Sequence, residues 1–315
     1  MAMLWKKFEA LGTEIIITAD LRPEQKYLLD KAQASVVEFE QRFSRFIPDS
    51  ELNMLNNFAG GEYRLSAQFA DLLKHAQTFY HETNGLFDPV IIDVLEGIGY
   101  DRNFSDINSH NLTKQQVEIK WQTASSIYEH RPKMDELKMN GEVALVPPGF
   151  RLDLGGLGKG YVVDLIAREV FADIKNFWIS AGGDLLANGN DEQKNGWQIG
   201  VQNPLKPESE SFYINTLGKQ LGIATSGVIK RKGEAGGLAW HHIIDPHTGR
   251  PAIVDILSVS VVAPSAETAD VYAKTILLLG SKAGVEFADQ HEGVGCIIFL
   301  TDGAPIFSRG MVAYL

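Results

Sequence analysis

Several features are scarce in this 315-residue sequence. The single cysteine, Cys296, excludes an internal disulfide and a cysteine-rich metal site, and its apolar surroundings predict a buried, inert thiol. The 29 Lys and Arg residues are outnumbered by 40 Asp and Glu residues, and the net charge of −11 argues against nucleic acid as a partner. No apolar run is long enough to span a membrane. Residues 1–8 lack the apolar core and cleavage site of a signal peptide, so we expect a cytoplasmic protein, although a trimmed exported form would look the same.

The remaining composition is that of a globular protein, with 44% hydrophobic residues. The β-branched segment 13–19 predicts a strand, and apolar residues at three-to-four spacing predict a helix after Pro23. Residues 100–140 are polar and are interpreted as irregular surface excursions. Strands dominate after residue 150, interrupted by predicted helices at 158–173 and 266–279. Because neither a Pro- or Ser-rich linker nor a repeat is evident, we expect one compact α+β domain.

The segment Trp240–Gly249 is the most informative stretch, because it holds three imidazoles and one carboxylate. Ile243 and Ile244 read as buried strand residues that precede a tight turn. His242 would then lie on a rigid strand end, where a base for proton transfer can be aimed. The alternative is a half-buried strand that ends in a solvated turn.

A glycine-rich segment, Leu152–Asp164, is predicted to join a strand to a helix. Free backbone N–H groups at such a junction can bind phosphate, and Lys159 adds a positive charge. Gly160 and Tyr161 do not match the P-loop or the dinucleotide fingerprint. A tight turn that needs small residues for packing explains the glycines equally well.

Three further segments are weak by themselves. Gly182-Gly183-Asp184 and Ala224–Gly227 each end a predicted strand and could be plain turns. Asp270 falls in the first turns of a predicted helix, where a single carboxylate suits Mg²⁺ together with phosphate oxygens. The alternative is an acid favoured by the helix dipole and paired with Lys274 four residues later.

Taken together, these segments resemble the ApbE-type flavin transferases (FAD:protein FMN transferases) over roughly residues 5 to 310. The segments that carry the resemblance are, in chain order, Phe43–Asn53, Gly85–Pro89, Leu152–Asp164, Gly182–Asp184, Ala224–Gly227, His242–Gly249 and Ala263–Gly280. Such an ordered set is far more specific than any single motif. The resemblance implies a single α+β domain with mixed or antiparallel sheets, flanking helices and a central flavin cleft.

The resemblance also implies a reaction and its residues. FAD is cleaved, FMN passes through its phosphate to a Thr or Ser of a target flavoprotein, AMP leaves, and Mg²⁺ assists. His242 corresponds to the base, and Asp270 with the backbone carbonyl of Gly158 corresponds to the metal site. The other flavin-site positions of the family fall on Ser44, Arg45, Ser50, Glu51, Lys159, Gly182, Gly183, Asp184 and Thr225.

One position departs from the family pattern, which places a Thr ligand four residues after the metal-binding Asp. Here that position is Lys274, and Thr275 follows it. Lys is not a Mg²⁺ ligand at neutral pH. Lys274 could supply the charge itself, the helix could rotate to offer Thr275 as the ligand, or catalysis could be lost. The alternatives to the transferase are therefore an FAD pyrophosphatase that yields FMN and AMP, and a non-catalytic flavin-binding protein.

Overall fold

The computed structural model describes residues 2–97, 113–229, 232–235, 238–241 and 243–315. The chain forms two compact units, each built from separate stretches of sequence. Unit 1 comprises Met1–Glu40, Leu157–Gly227 and Val254–Leu315, and unit 2 comprises Gln41–Gly156 and Val228–Ile253. The first passage between the units, at Glu40 and Gln41, lies inside a helix, and the second, at Gly156 and Leu157, lies inside the glycine-rich segment. That residues 5–310 form a single domain stays a prediction.

Most of the helices lie in the first half of the chain, and most of the strands follow residue 137. In the described ranges the α-helices are α1 (Tyr27–Phe43), α2 (Glu51–Asn56), α3 (Ala67–Glu82), α4 (Ile92–Gly97), α5 (Lys114–His130), α6 (Gly158–Glu169) and α7 (Ala266–Gln290). None of them is both long enough and apolar enough to cross a membrane.

The strands are mostly short. In the same ranges they are β1 (Ala2–Ala10), β2 (Thr13–Leu21), β3 (Gly61–Arg64), β4 (Lys138–Asn140), β5 (Val143–Val146), β6 (Phe177–Ala181), β7 (Asp184–Asn188), β8 (Gln198–Asn203), β9 (Lys206–Asn215), β10 (Leu221–Gly227), β11 (Lys232–Ala235), β12 (Leu238–His241), β13 (Ile244–Asp245), β14 (Arg250–Pro251), β15 (Ile256–Ala263), β16 (Gly295–Leu300) and β17 (Pro305–Phe307).

Unit 1 is built on an eight-stranded sheet in the order β1-β2-β6-β7-β10-β15-β16-β17. Every neighbouring pair in this sheet is antiparallel. Alternate residues of β2 are buried, from Ile15 to Leu21, as the period of two along a strand requires. The predicted α+β class with antiparallel sheets and flanking helices is confirmed, whereas strand β1 was not predicted. The central flavin cleft stays a prediction.

Helix α7 begins and breaks at positions that its sequence explains. Ser265 is the N-cap, and its hydroxyl accepts a hydrogen bond from the N–H of Thr268 at 3.1 Å. Gly280 has φ 79° and interrupts the helical dihedrals, so the predicted helix 266–279 ends where expected and a second helical stretch continues to Gln290.

The interpretation of residues 100–140 as irregular was wrong for the part that the structure describes. Helix α5 occupies Lys114–His130, and it starts with a capping box between Thr113 and Gln116. Its apolar contacts are few, with Val117, Ala124 and Tyr128 buried, so the long polar stretches hid the helical period. Residues 98–112 lie outside the described residues.

Helix α5 supports the histidine-rich turn within unit 2. Ile244 packs with Tyr128, Val94 and Leu95 in one apolar cluster. A Cβ added to Gly249 would lie 3.0 Å from the Cβ and Cδ1 atoms of Tyr128, and Gly249 has φ 61°, so both space and backbone favour glycine there. The turn therefore packs against helix α5.

A buried ion pair anchors the end of α5. The Asp88 and Arg131 side chains are paired and are only 4% and 9% exposed. Arg131 Nε also donates to the Val90 carbonyl at 2.6 Å, and the Tyr128 hydroxyl donates to Asp88 Oδ2 at 3.2 Å. Burial raises the pKa of Asp88, and Arg131 opposes that shift. Asp88 depends on this arginine for its ionised form.

We predict that Arg131→Leu destabilises the protein by about 3–5 kcal/mol at pH 7, because it leaves the Asp88 carboxylate buried without a cation. Denaturant unfolding followed by circular dichroism measures the change. The matched control is Arg64→Leu, since Arg64 is 84% exposed and 3.9 Å from Glu142. That control should stay within about 0.5 kcal/mol of the wild type. Equal effects of the two substitutions would contradict the prediction.

Candidate active site

Four charged side chains meet in unit 1, and we call Lys159, Asp184, Asp270 and Lys274 the charge cluster. Lys159 lies in the first turn of α6, Asp184 begins β7, and the other two lie one turn apart on α7. The Lys159 ammonium pairs with Asp184 and lies 3.7 Å from Asp270 Oδ2. Lys274 pairs with Asp270 Oδ1, and its Nζ is 3.3 Å from the Asp270 carbonyl oxygen.

Burial makes the charge cluster an interdependent set. The aspartate side chains are 5% and 2% exposed, and the lysine side chains are 18% and 20% exposed. With both carboxylates ionised, two positive charges balance two negative charges. A buried charge that loses its partner is strongly destabilising, so neither lysine can be removed without effect. The partly exposed ammonium groups are the part of the cluster that an incoming anion can reach.

One oxygen in the charge cluster is short of a partner. Asp270 Oδ2 is buried and accepts no hydrogen bond, and the Lys159 ammonium is 3.7 Å away from it. Asp184 Oδ2 is also buried, but it is the oxygen that pairs with Lys159. A carboxylate oxygen is the kind of donor that Mg²⁺ prefers. Within the described residues no group of three or more His, Cys, Asp or Glu side chains could hold a metal. Asp270 therefore fits a cation whose remaining ligands come from backbone, water or phosphate.

The start of α6 adds positive potential beside the charge cluster. No side chain caps this helix, whose N-cap residue is Leu157. The first N–H groups of a helix have no partner within the helix and favour an anion. Lys159 sits in this first turn. The glycine-rich segment therefore has both the backbone donors and the charge that a phosphate needs.

A second set of predicted residues lies in unit 2, around a buried ion pair. Arg45 Nε is 2.6 Å from Asp153 Oδ2, and these side chains are 5% and 13% exposed. The Arg45 guanidinium lies 4.2 Å from the Phe46 ring centroid. Asp153 Oδ1 accepts a hydrogen bond from Gly155 N at 2.8 Å, so the same carboxylate shapes the glycine-rich turn.

The comparisons with known proteins decide the family. The ApbE family model matches residues 11–298. The chain belongs to the ApbE family. It is 26% identical over 309 residues to an FAD:protein FMN transferase of Salmonella typhimurium, covering 96% of this chain and 83% of that protein. It is 25% identical over 279 residues to one of Haemophilus influenzae, covering 87% and 78%.

Solved structures of ApbE proteins share the fold. The ApbE protein of Thermotoga maritima has a TM-score of 0.85 at 24% identity, with 99% of each chain covered. The flavin transferase ApbE of Vibrio cholerae has a TM-score of 0.82 at 23% identity, with 100% of each chain covered. At these identities the likeness establishes the fold alone. The family predicted from the ordered motifs is confirmed.

The structure brings only some of the predicted ApbE site residues together. Lys159, Asp184 and Asp270 form the charge cluster, and Lys274 joins them. Thr275 does not, because its hydroxyl donates to the Val271 carbonyl at 3.0 Å and is fully buried. Between Ala266 and Gln290 the helix departs from helical dihedrals only at Gly280, so the structure shows no local rotation that would offer Thr275.

Three predicted flavin residues of unit 2 are engaged with the protein itself. Ser50 caps α2, and its hydroxyl accepts from Asn53 N at 3.1 Å. Glu51 binds Arg42 Nε at 2.6 Å and accepts from the Ser66 hydroxyl at 2.6 Å. The Ser44 hydroxyl accepts from Phe46 N at 3.3 Å. These contacts give the three residues a structural role, and their part in flavin binding stays a prediction.

The remaining predicted positions are Gly182, Gly183, Thr225 and His242, and the first three lie in or beside strands. Gly182 has φ 65°, and an added Cβ would lie 2.3 Å from the Thr13 hydroxyl, whereas Gly183 faces open space. Thr225 on β10 is exposed and hydrogen-bonds to Ser260 at 2.7 Å. His242 lies outside the described residues. The turn after it is ordered by Asp245 Oδ1, which accepts from His247 N at 2.9 Å.

We predict that Lys274→Thr raises the affinity for Mg²⁺ at least about fivefold, because a unit charge 4 Å away costs about 1 kcal/mol even in water. Calorimetric titration of the protein with Mg²⁺ alone measures this change. Lys282→Thr, an exposed lysine on the same helix, is the matched control and should bind Mg²⁺ as the wild type does. If the wild type binds Mg²⁺ as tightly as the Lys274→Thr variant, Lys274 does not compete for the cation site.

Proposed function

We propose that this chain is an FAD:protein FMN transferase, as its Salmonella and Haemophilus relatives are named. The observation that carries the proposal is the charge cluster at the uncapped start of α6, in a chain that matches the ApbE family from residue 11 to residue 298. Two ammonium groups and free helix donors suit the pyrophosphate of FAD. The acceptor is a flavoprotein with a target Thr or Ser.

The transfer exchanges one phosphorus–oxygen bond for another. The acceptor hydroxyl oxygen bonds to the phosphorus of the FMN half, and the bond from that phosphorus to the bridging oxygen breaks. AMP leaves with the bridging oxygen. His242 is the proposed base that takes the hydroxyl proton, because an imidazole has a pKa near neutrality. Asp270 takes part by fixing the cations around the reacting phosphate.

Lys159 and Lys274 are the proposed phosphate-neutralising groups. Both ammonium groups are already held by aspartates, so their positions are set before the anion arrives. Their remaining exposure leaves room for phosphate oxygens, and the N–H groups at Gly158 and Lys159 would add hydrogen bonds. Arg45, Ser44, Ser50, Glu51, Gly182, Gly183, Asp184 and Thr225 remain proposed contacts to the rest of FAD.

Mg²⁺ is the proposed cofactor of the charge cluster. Asp270 Oδ2 is buried without a hydrogen bond and would hold it with the Gly158 carbonyl. Thr275 would join them only if its hydroxyl left the Val271 carbonyl. Bound Mg²⁺ draws charge from phosphate oxygens and so makes AMP a better leaving group.

One observation favours a second candidate, a flavin-binding protein without catalysis. The Lys274 ammonium occupies Asp270, the carboxylate that the cation needs. If the pair never opens, the cluster can bind a pyrophosphate but lacks the divalent charge for breaking it. An FAD pyrophosphatase is the intermediate case, in which water takes the place of the acceptor hydroxyl.

Incubation of the pure protein with FAD, Mg²⁺ and an acceptor flavoprotein domain with a single target Thr tests the proposal. We expect AMP release that matches the FMN added to the acceptor, measured by chromatography and intact mass. The same domain with Ala at the target position should stay unmodified. AMP and free FMN without an acceptor would indicate a pyrophosphatase, and unchanged, bound FAD would indicate a binding protein.

A substitution at His242 tests the base. We predict that His242→Gln lowers turnover by roughly 10²–10⁴-fold, the usual contribution of a general base, with little change in FAD affinity. His247→Gln is the matched control, because the His247 side chain is 75% exposed in the following turn. Full turnover in His242→Gln together with a large loss in His247→Gln would move the base to His247.

A further inference from the structure

A single carboxyl group, that of Asp164, connects helix α6 to the first turn of helix α7. We call this contact between the two helices the joint. Asp164 Oδ1 accepts a hydrogen bond from Ala266 N at 3.0 Å, and Asp164 Oδ2 accepts one from Glu267 N at 2.9 Å. The next donor, Thr268 N, is bound by the Ser265 hydroxyl. The first turn of α7 therefore has its free N–H groups satisfied partly by its own cap and partly by another helix.

The two helices are also in backbone contact at this joint. A Cβ added to Gly160 would lie 2.5 Å from Glu267 Cα and 2.7 Å from Ala266 O. A Cβ added to Gly222 on β10 would lie 2.0 Å from Ser265 O. These three distances are too short for a real Cβ atom. Helix α6 and strand β10 therefore each approach the start of α7 at a glycine. Asp164 holds this close approach with directed hydrogen bonds.

The joint lies next to the residues of the charge cluster. Lys159 directly precedes Gly160, and Asp270 is one helical turn after Glu267. The 3.7 Å distance between Lys159 Nζ and Asp270 Oδ2 therefore depends on how α6 and α7 are docked. A displacement of about 1 Å at a reacting group can cost about 10²-fold in rate.

We propose that Asp164 is a positioning residue for the transfer reaction, since its carboxyl group docks the start of α7 on α6 and so sets the spacing of Lys159 and Asp270. This proposal rests on the proposed function. Asp164 contacts neither phosphate nor cation in this scheme, and it acts through the two helices.

The charge environment of Asp164 gives a signature of the joint. Burial, helped by the charge of Glu267 on α7, raises the pKa of Asp164 to about 7, although the two backbone hydrogen bonds and Arg168 on α6 lower it. The folded protein thus holds this proton more tightly than the unfolded chain, whose value is 3.8. The contribution of Asp164 to stability is therefore greatest below pH 4 and is lost as the pH rises toward 7.

Two substitutions test the joint. Asp164→Asn keeps the shape but turns an NH₂ group toward one of the two N–H donors, and Asp164→Ala removes both acceptors. Asp173→Asn and Asp173→Ala, at an exposed aspartate of the same unit, are the matched controls. We expect amide hydrogen exchange over residues 265–270 to become roughly tenfold faster or more in the Asp164 variants, since each lost acceptor leaves a backbone N–H of the first turn of α7 without its partner.

Transfer kinetics with FAD, Mg²⁺ and the acceptor flavoprotein domain, at a temperature where circular dichroism shows each variant folded, test the effect on the site. We expect kcat to fall about 10- to 100-fold in Asp164→Ala and less in Asp164→Asn, with KM for FAD little changed. The melting temperature of Asp164→Asn should also lose the part of its pH dependence between pH 4 and 7 that Asp164 contributes.

The outcomes separate the joint from the proposed function. Unchanged exchange over residues 265–270 in both Asp164 variants would overturn the joint. Faster exchange with an unchanged kcat would overturn the positioning role. A wild type without turnover would overturn the proposed function and the positioning role with it, while the exchange measurement would still decide whether Asp164 docks the two helices.

Discussion

The pairing of two buried carboxylates with two lysines is the constraint on which the functional part of unit 1 depends. Asp184 and Asp270 are nearly inaccessible to water, and a buried carboxylate without a cation is costly. Three separate segments must meet for the charges to balance: the start of α6, the start of β7 and the second and third turns of α7. Glycines at 160 and 222 permit the close backbone approach that this meeting requires.

The electroneutrality of the charge cluster bears on the proposed chemistry. Mg²⁺ would add two positive charges, and the pyrophosphate of FAD carries negative charge on each of its two phosphates. Either one alone would unbalance a buried site, whereas the two together restore neutrality. With the proposed function, the cluster would therefore favour a cation and a phosphate ligand that enter together. Lys274 is already counted in this balance, and its charge is covalently held and cannot leave with the product.

Local features of the fold could be predicted from the sequence, and long-range pairings could not. Some features depend only on residues that are close together in the sequence. They are the alternation in β2, the Ser265 cap and the end of the first stretch of α7 at Gly280. Two buried ion pairs, Asp88 with Arg131 and Arg45 with Asp153, join residues far apart in the chain, and no local sequence pattern identifies either partner.

Helix α5 was not predicted because its apolar face is narrow. In the site, Asp270 and Lys159 were found through the ordered motifs, whereas the role of Asp164 depends on the tertiary contact between two helices.

The helical period explains why a one-residue difference matters at the charge cluster. Successive residues on an α-helix are rotated by about 100°, so position i+4 returns to within about 40° of position i, and position i+5 lies about 140° away. Lys274 therefore shares the face of Asp270, and Thr275 points into the protein, where its hydroxyl binds Val271. No small adjustment exchanges the two side chains, because each is fixed by the same helix that holds the carboxylate. The cation beside Asp270 is thus determined by the order of residues in α7, in which Lys274 and not Thr275 follows the carboxylate by four positions.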